Sequence, residues 1–205
     1  MRQNKGIIFI LSSPSGGGKS SIARYLVKNC DNLHLSISVT TREKRDNEED
    51  GKDYYYIDHE TYKQMLKEDK LLESAQVYDN FYGTPKDFVM DHLNNGHNVL
   101  FDIDPQGAKS ISKLHTEFSV VTIFILPPSL EELEKRMTMR GDKMEIIQKR
   151  MLKARKYASF FKDYDYLVIN DDFGRTCQDI LSIIKAEKLK VKNQDPAKVI
   201  PSYGL

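Results

Sequence analysis

The chain has 205 residues, 40% hydrophobic and 30% charged, an ordinary globular composition and enough for one sizeable core carrying small inserted subdomains. Thirty-one Lys and Arg against thirty Asp and Glu leave a formal net charge of +1. That balance argues against a protein held on nucleic acid or membrane by bulk charge, while leaving room for a local cationic site for a small anion. No apolar run approaches the ~18–20 residues that span a bilayer. The strongly apolar run from Ile7 to Leu11 is too short for a signal-peptide core. Cys30 and Cys177 match no metal or redox spacing, so a cytoplasmic protein with incidental thiols is expected.

Short apolar runs alternate with stretches of helical period, the pattern of an α/β protein. Ile7 to Leu11 reads as a strand buried on both faces, followed by a helix carrying Ala23, Leu26, Val27 and Cys30. Leu35 to Val39 reads as the next strand. Residues of about 38–84 are polar, charged and rich in tyrosine, with Tyr54–Ile57 and Leu71–Val77 as short strands around a helix near Glu60 to Glu68. They read as an inserted, mostly antiparallel subdomain. Val99–Ile103, Val120–Ile125 and Tyr166–Ile169 are further buried strands. Helical spacing recurs in Ala108/Ile111/Leu114, Leu130/Leu133/Met137 and Ile180/Leu181/Ile184. Residues of about 132–159, rich in Lys and Arg and interrupted at Gly141-Asp142, read as a mobile helical lid. The expected architecture is one domain over 1–190. Its three-layer α/β/α core spans about 5–37, 85–131 and 160–190 around a parallel sheet, and a disordered tail follows from 191 to 205.

Ser13-Pro14-Ser15-Gly16-Gly17-Gly18-Lys19-Ser20-Ser21 follows the first buried strand and opens a helix, the context of a phosphate-binding loop. Glycines let the backbone approach a phosphate closely. The inward N–H groups and the helix N-terminus favour its charge. Lys19 would reach the β- and γ-phosphates of a nucleoside triphosphate, and Ser20 would offer a hydroxyl to Mg²⁺. The general pattern has glycine where this chain has Ser13. Asp102 ends a buried strand and is a second candidate for the metal, although Pro105 and Gly107 also suit a plain strand-end turn.

Arg42 and Arg45 are three residues apart; a strand would send them to opposite sides, and a turn could bring them onto one anion. Both belong to Ser36–Arg45, which Glu48 and Gly51–Tyr55 follow. Taken with the loop, Leu72–Gln76, Asn80–Thr84 and Leu100–Gly107, these segments resemble the guanylate kinase family, from about Gly6 to Lys188. The resemblance implies transfer of the γ-phosphoryl of ATP to GMP, with Mg²⁺ and a P-loop fold. It implies a GMP phosphate clamped by Arg42, Arg45, Tyr54 and Tyr82, and a guanine read by Glu73, Ser38 and Thr84, with Asp104 nearby. A carboxylate at Glu73 accepts from both N1–H and the 2-amino group of guanine, whereas adenine lacks both donors. The resemblance further implies lid arginines at Arg136 and Arg150, with Arg140 on the same helix face as Arg136. It also implies an adenine-side contact at Asn170. The partners expected are ATP and GMP alone, with no nucleic acid or membrane, for a monomer or homo-oligomer. His34, His59, His92, His97 and His115 are scattered in sequence and form no catalytic arrangement. A protein-binding module on the same fold, a kinase for another acceptor and a small GTPase are the rival readings. The retained Lys19, Arg136 and Arg150, Glu73 with Ser38 and Thr84, and the missing Asn-Lys-x-Asp motif argue against them in turn.

Overall fold

The computed structural model describes residues 5–46, 48–77, 79–195 and 200. The first strand, β1 (Ile7–Ser12), is central and wholly buried. With β2 (Leu33–Ser36), β7 (Asn98–Asp102), β8 (Ser119–Leu126) and β9 (Tyr166–Ile169) it forms a five-stranded, all-parallel sheet in the order β2-β7-β1-β8-β9. Alternation along β1 divides the core. Ile7, Phe9 and Leu11 pack with α1 (Lys19–Asn29) and α7 (Phe173–Leu189), through Ile22, Leu26, Ile180 and Ile184. Ile8 and Ile10 face the opposite layer, α3 (Lys86–Asn94) and α4 (Pro105–Ile111), through Val89, Leu93, Ala108 and Ile111. A strand covered on both faces must be apolar throughout, which is why Ile7–Leu11 has no polar interruption.

A second, four-stranded sheet stands beyond the carboxyl edge of the first. It consists of β3 (Val39–Thr40), β4 (Tyr55–Tyr56), β5 (Leu71–Val77) and β6 (Asn80–Pro85). The β3–β6 and β5–β6 pairs are antiparallel and β3–β4 is parallel. Its small core joins Val39 and Leu71 to Tyr62 of α2 (His59–Lys67), which Asp58 caps by accepting from Thr61 N–H at 2.7 Å. The strand expected over Leu35–Val39 is two strands. Ser36 pairs with Phe101 in the parallel sheet, Val39 pairs with Tyr55 and Gly83 in the other, and Ile37-Ser38 carries the chain across. The lid is a pair of helices, α5 (Leu130–Met139) and α6 (Met144–Ser159), joined by a turn with Gly141 at φ +83. Leu133, Met137, Ile147 and Ala154 hold the pair together.

The tail expectation falls partly outside the described residues (196–199 and 201–205). Where it can be compared, Val191–Asn193 form a 3₁₀ turn rather than disordered chain. The side chain of Asn193 is engaged there by the Ser119 hydroxyl and donates to the Glu187 carbonyl at 2.8 Å.

Three of the histidines come together after all. His34 on the edge strand β2 lies with its ring 4.5 Å from that of His92 and 5.2 Å from that of His97. Partial burial, and then the neighbouring His92 and His97, lower the His34 pKa below its usual 6.5. The folded state therefore holds fewer protons than the unfolded chain near that pH. This contribution to stability is complete above 6.5 and declines as the pH drops through and below it. Urea unfolding at pH 8 and pH 5.5 checks this: the loss on acidification should be smaller in His34→Gln than in the parent.

Candidate functional site

One cavity of about 470 Å³ opens between the carboxyl edge of the parallel sheet, the second sheet and the lid. Its floor is the glycine-rich loop. Gly16 and Gly18 have φ of +92 and +94, backbone that a β-carbon disfavours. Ser13, by contrast, has no positive φ and donates from its hydroxyl to the Pro14 carbonyl at 2.9 Å, so the first glycine of the general pattern is not required here. Helix α1 starts at Lys19 with no capping side chain and no acid in its first turn, whereas α2, α4, α5 and α7 are capped by Asp58, Asp104, Ser129 and Asp172. The uncapped N–H groups of α1 and its positive dipole end face the cavity, which suits an anion.

The register of β1 with β7 sets Leu11 beside Asp102, and the Lys19 ammonium forms an ion pair with that carboxylate. Burial lowers the Lys19 pKa to about 8, against the opposing pull of Asp104. Ser20 and Ser21 are exposed at the start of α1. Asn170 is buried and does not line the cavity. Its amide donates to the Gly17 carbonyl at 2.9 Å, its side-chain oxygen accepts from Thr176, and its own carbonyl accepts from Arg136 at 2.9 Å. The residue expected at the adenine thus braces the loop from behind.

On the opposite wall, Arg42 and Arg45 lie in the loop after β3, and that loop brings their side chains together. Their organiser is Glu48, which the sequence places in the same motif without a role of its own. Arg42 donates a forked pair to Glu48 at 2.8 and 2.9 Å. Arg45 donates from its backbone N–H at 3.0 Å and its guanidinium at 3.2 Å, and the Tyr56 hydroxyl donates at 2.8 Å. Burial alone would raise the Glu48 pKa, but these donors outweigh it and hold the carboxyl at about 2. The Arg42 guanidinium lies 5.5 Å from the centre of the Tyr54 ring, which packs edge-on with Tyr82.

Deeper in the same wall, Glu73 on β5 is 6% exposed. It accepts from the fully buried Thr84 hydroxyl on β6 at 2.8 Å, a pair set by the β5–β6 register. Burial raises its pKa to about 7; the Thr84 bond opposes the rise and the neighbouring Asp104 adds to it. Asp104 caps α4 through one oxygen, leaving Oδ2 buried with no hydrogen-bond partner among the described residues. Ser38 is buried at the cavity wall.

From the lid, Arg136 is tied to Glu132 at 2.8 Å and Arg150 to Asp142 at 2.6 Å. Asp142 also engages Arg140, which reaches Ser15 of the loop at 3.4 Å. The sequence marks Asp142 only as part of the break in the lid, because its partners are set by the α5–α6 turn. Arg24 of α1 pairs with Asp53 of the second lobe, a further tie across the cleft.

A parallel sheet carrying such a loop, faced by an arginine cluster and a buried acid pair, defines a P-loop nucleotide phosphotransferase. The family model described as guanylate kinase matches residues 5–187. A guanylate kinase of Rickettsia typhi is 52% identical over 189 residues, 92% of this chain and 95% of that protein. One of Zymomonas mobilis is 47% identical over 191 residues, 93% and 88% of the two. The crystal structure of guanylate kinase from Anaplasma phagocytophilum superposes with a TM-score of 0.81 at 36% identity, covering 97% of this chain and 94% of that one. The chain belongs to the guanylate kinase family, and its activity is that of an ATP-dependent GMP kinase.

Replacing Glu48 by Gln turns one acceptor oxygen into a donor that meets arginine N–H groups. Glu48→Gln should raise the KM for GMP about ten- to a hundredfold through lost orientation of Arg42 and Arg45. The KM for ATP should stay within about twofold, as steady-state kinetics will show.

Proposed function

We propose that the two walls of the cavity hold the two substrates with their phosphates in line, ATP on the loop and GMP on the second sheet. The observation that carries this reading is that Lys19 and Ser20 line the same cavity as Arg42, Arg45, Tyr54 and Glu73. The loop N–H groups from Ser13 to Ser21 and the uncapped end of α1 take the ATP phosphates, with Lys19 on the β- and γ-oxygens. Asn170 serves by holding the Gly17 carbonyl and, through its own carbonyl, Arg136. Arg42, Arg45, Tyr54 and Tyr82 fix the GMP phosphate. Glu73, supported by Thr84, accepts from guanine N1–H and the 2-amino group, and Ser38 and Asp104 complete the base pocket.

An oxygen of the GMP phosphate attacks the γ-phosphorus, and the bond from that phosphorus to the bridging β-oxygen breaks, giving ADP and GDP. The attacking oxygen is already anionic, so no general base is needed. Catalysis is positioning plus charge stabilisation. Arg136 and Arg150 from the lid, with Lys19, place positive charge around the transferring group. Closure of lid and second lobe excludes water, which would otherwise act as acceptor.

Magnesium fits these residues. Among the described residues no group of three or more His, Cys, Asp or Glu gathers at one point, and an ion carried largely by nucleotide oxygens and water needs no such cage. Ser20 and Asp102 offer all-oxygen donors beside the loop, Asp102 sharing its carboxylate with Lys19. When bound, the ion neutralises phosphate charge. The reading includes a cytoplasmic location, supported by the two free thiols, Cys30 and Cys177. Among the described residues no helix is long and apolar enough to cross a membrane.

The direct test is ADP formation from ATP·Mg²⁺ with GMP, AMP, UMP or CMP as acceptor. Turnover with GMP far above the rest is expected; equal turnover with another nucleotide would contradict the base-reading assignment. Lys19→Ala should lower kcat by about a thousandfold or more while the melting temperature stays near that of the parent. Near-normal turnover would contradict the role of Lys19.

A further inference from the structure

Gly107 stands between buried Glu73 and half-buried Asp104, the two acids of the base pocket. It is the third residue of α4, and its N–H donates to Asp104 Oδ1 at 3.0 Å. Its bare Cα faces Glu73. A β-carbon there would lie 2.8 Å from Glu73 Oε2 and 3.2 Å from Glu73 Cδ, with Ile103 Cδ1 at 3.4 Å. Nothing in the backbone demands glycine, because Gly107 is helical and has no positive φ. By helix propensity alone, alanine would be the better residue. The closest conflict therefore falls on the Glu73 carboxylate rather than on backbone. Glu73 cannot yield freely, since Thr84 holds Oε1 at 2.8 Å and the side chain is buried. To clear a methyl group it must swing its carboxylate and give up that hydrogen bond.

We propose that Gly107 is a specificity-determining residue: its missing side chain is the space in which Glu73 keeps the orientation that reads guanine. The inference rests on the proposed reading of Glu73 as the guanine acceptor and extends it to the residue behind the carboxylate. Helix α4 is less stable for carrying this glycine, and the base pocket is better ordered.

The test is steady-state kinetics with GMP and with AMP as acceptor, plus thermal unfolding, on Gly107→Ala, Glu73→Gln, Glu73→Asp and the double variant Gly107→Ala/Glu73→Asp. In Gly107→Ala, kcat/KM for GMP should fall about ten- to a hundredfold, and the preference for GMP over AMP should fall with it. Its KM for ATP should stay within about twofold, and its melting temperature should fall by no more than a few degrees, because the helical gain of alanine offsets part of the lost Glu73–Thr84 bond. Aspartate is one methylene shorter and retreats from the methyl group. The alanine substitution should therefore cost several-fold less in the Glu73→Asp background than in the parent. An equal cost in both backgrounds, or a KM for ATP that worsens as much as the use of GMP, would overturn the proposal in favour of a structural role. If Glu73→Gln loses GMP preference while Gly107→Ala keeps it, Gly107 has no part in base reading and the Glu73 assignment stands. If neither variant changes the preference, the Glu73 assignment itself fails.

Discussion

The site depends first on the parallel pairing of β1 with β7. Because Leu11 sits opposite Asp102, both strands end at the same level. The loop after one and the acid closing the other then face each other across a single strand spacing. The same pairing buries Ile8, Ile10, Val99 and Phe101 in one layer and Phe9, Leu11 and Leu100 in the other. A slip of register would send these side chains into the opposite packed layer, where they do not fit, as well as separate Lys19 from Asp102, so the placement of the loop is backed by the whole core.

Charge is handled differently on the two sides of the cavity. The cations are already matched inside the protein: Lys19 by Asp102, Arg42 and Arg45 by Glu48, Arg140 and Arg150 by Asp142. These pairings hold flexible side chains in place, so less conformational entropy remains to be lost when phosphate arrives. Glu73 is the opposite case. It faces a hydroxyl and another acid, and burial drives its pKa to about 7. A buried carboxylate of this kind gains most from a ligand that brings two N–H donors, and it penalises one that brings an acceptor. On the proposed reading of Glu73, that unmet demand favours guanine, and the space left by Gly107 keeps the carboxylate in place.

The core was legible in the sequence because its signals are local. Continuous apolar runs mark four of the five parallel strands, β1, β7, β8 and β9, and the loop motif follows the first of them; the edge strand β2, with His34 and Ser36, lacks such a run. Helix α3 went unread because only Val89 and Leu93 of its length are fully buried. Strand β6 contains Gly83 and Pro85 and exists by pairing with β3 and β5, and β3 is only two residues long. The roles of Glu48, Asp142 and Gly107 were invisible for a related reason. Each acts through a neighbour that only the folded backbone supplies. The resemblance implies an adenine-side contact at Asn170 after β9; in the folded chain its side chain donates to the Gly17 carbonyl from behind the loop, a partner that no local signal shows.

The central claim is that a buried carboxyl, partly protonated in the free protein near neutral pH, becomes an ionised acceptor for guanine. The most direct measurement is the number of protons released when GMP binds at pH 6.5, from calorimetric titrations in buffers of different ionisation enthalpy, for the parent and for Glu73→Gln. Proton release from the GMP phosphate is common to both, so their difference isolates Glu73. The account predicts that the parent releases an additional fraction of a proton, fading above pH 8 as the carboxyl ionises in the free protein. Equal release in the two proteins, with both binding GMP, would contradict it.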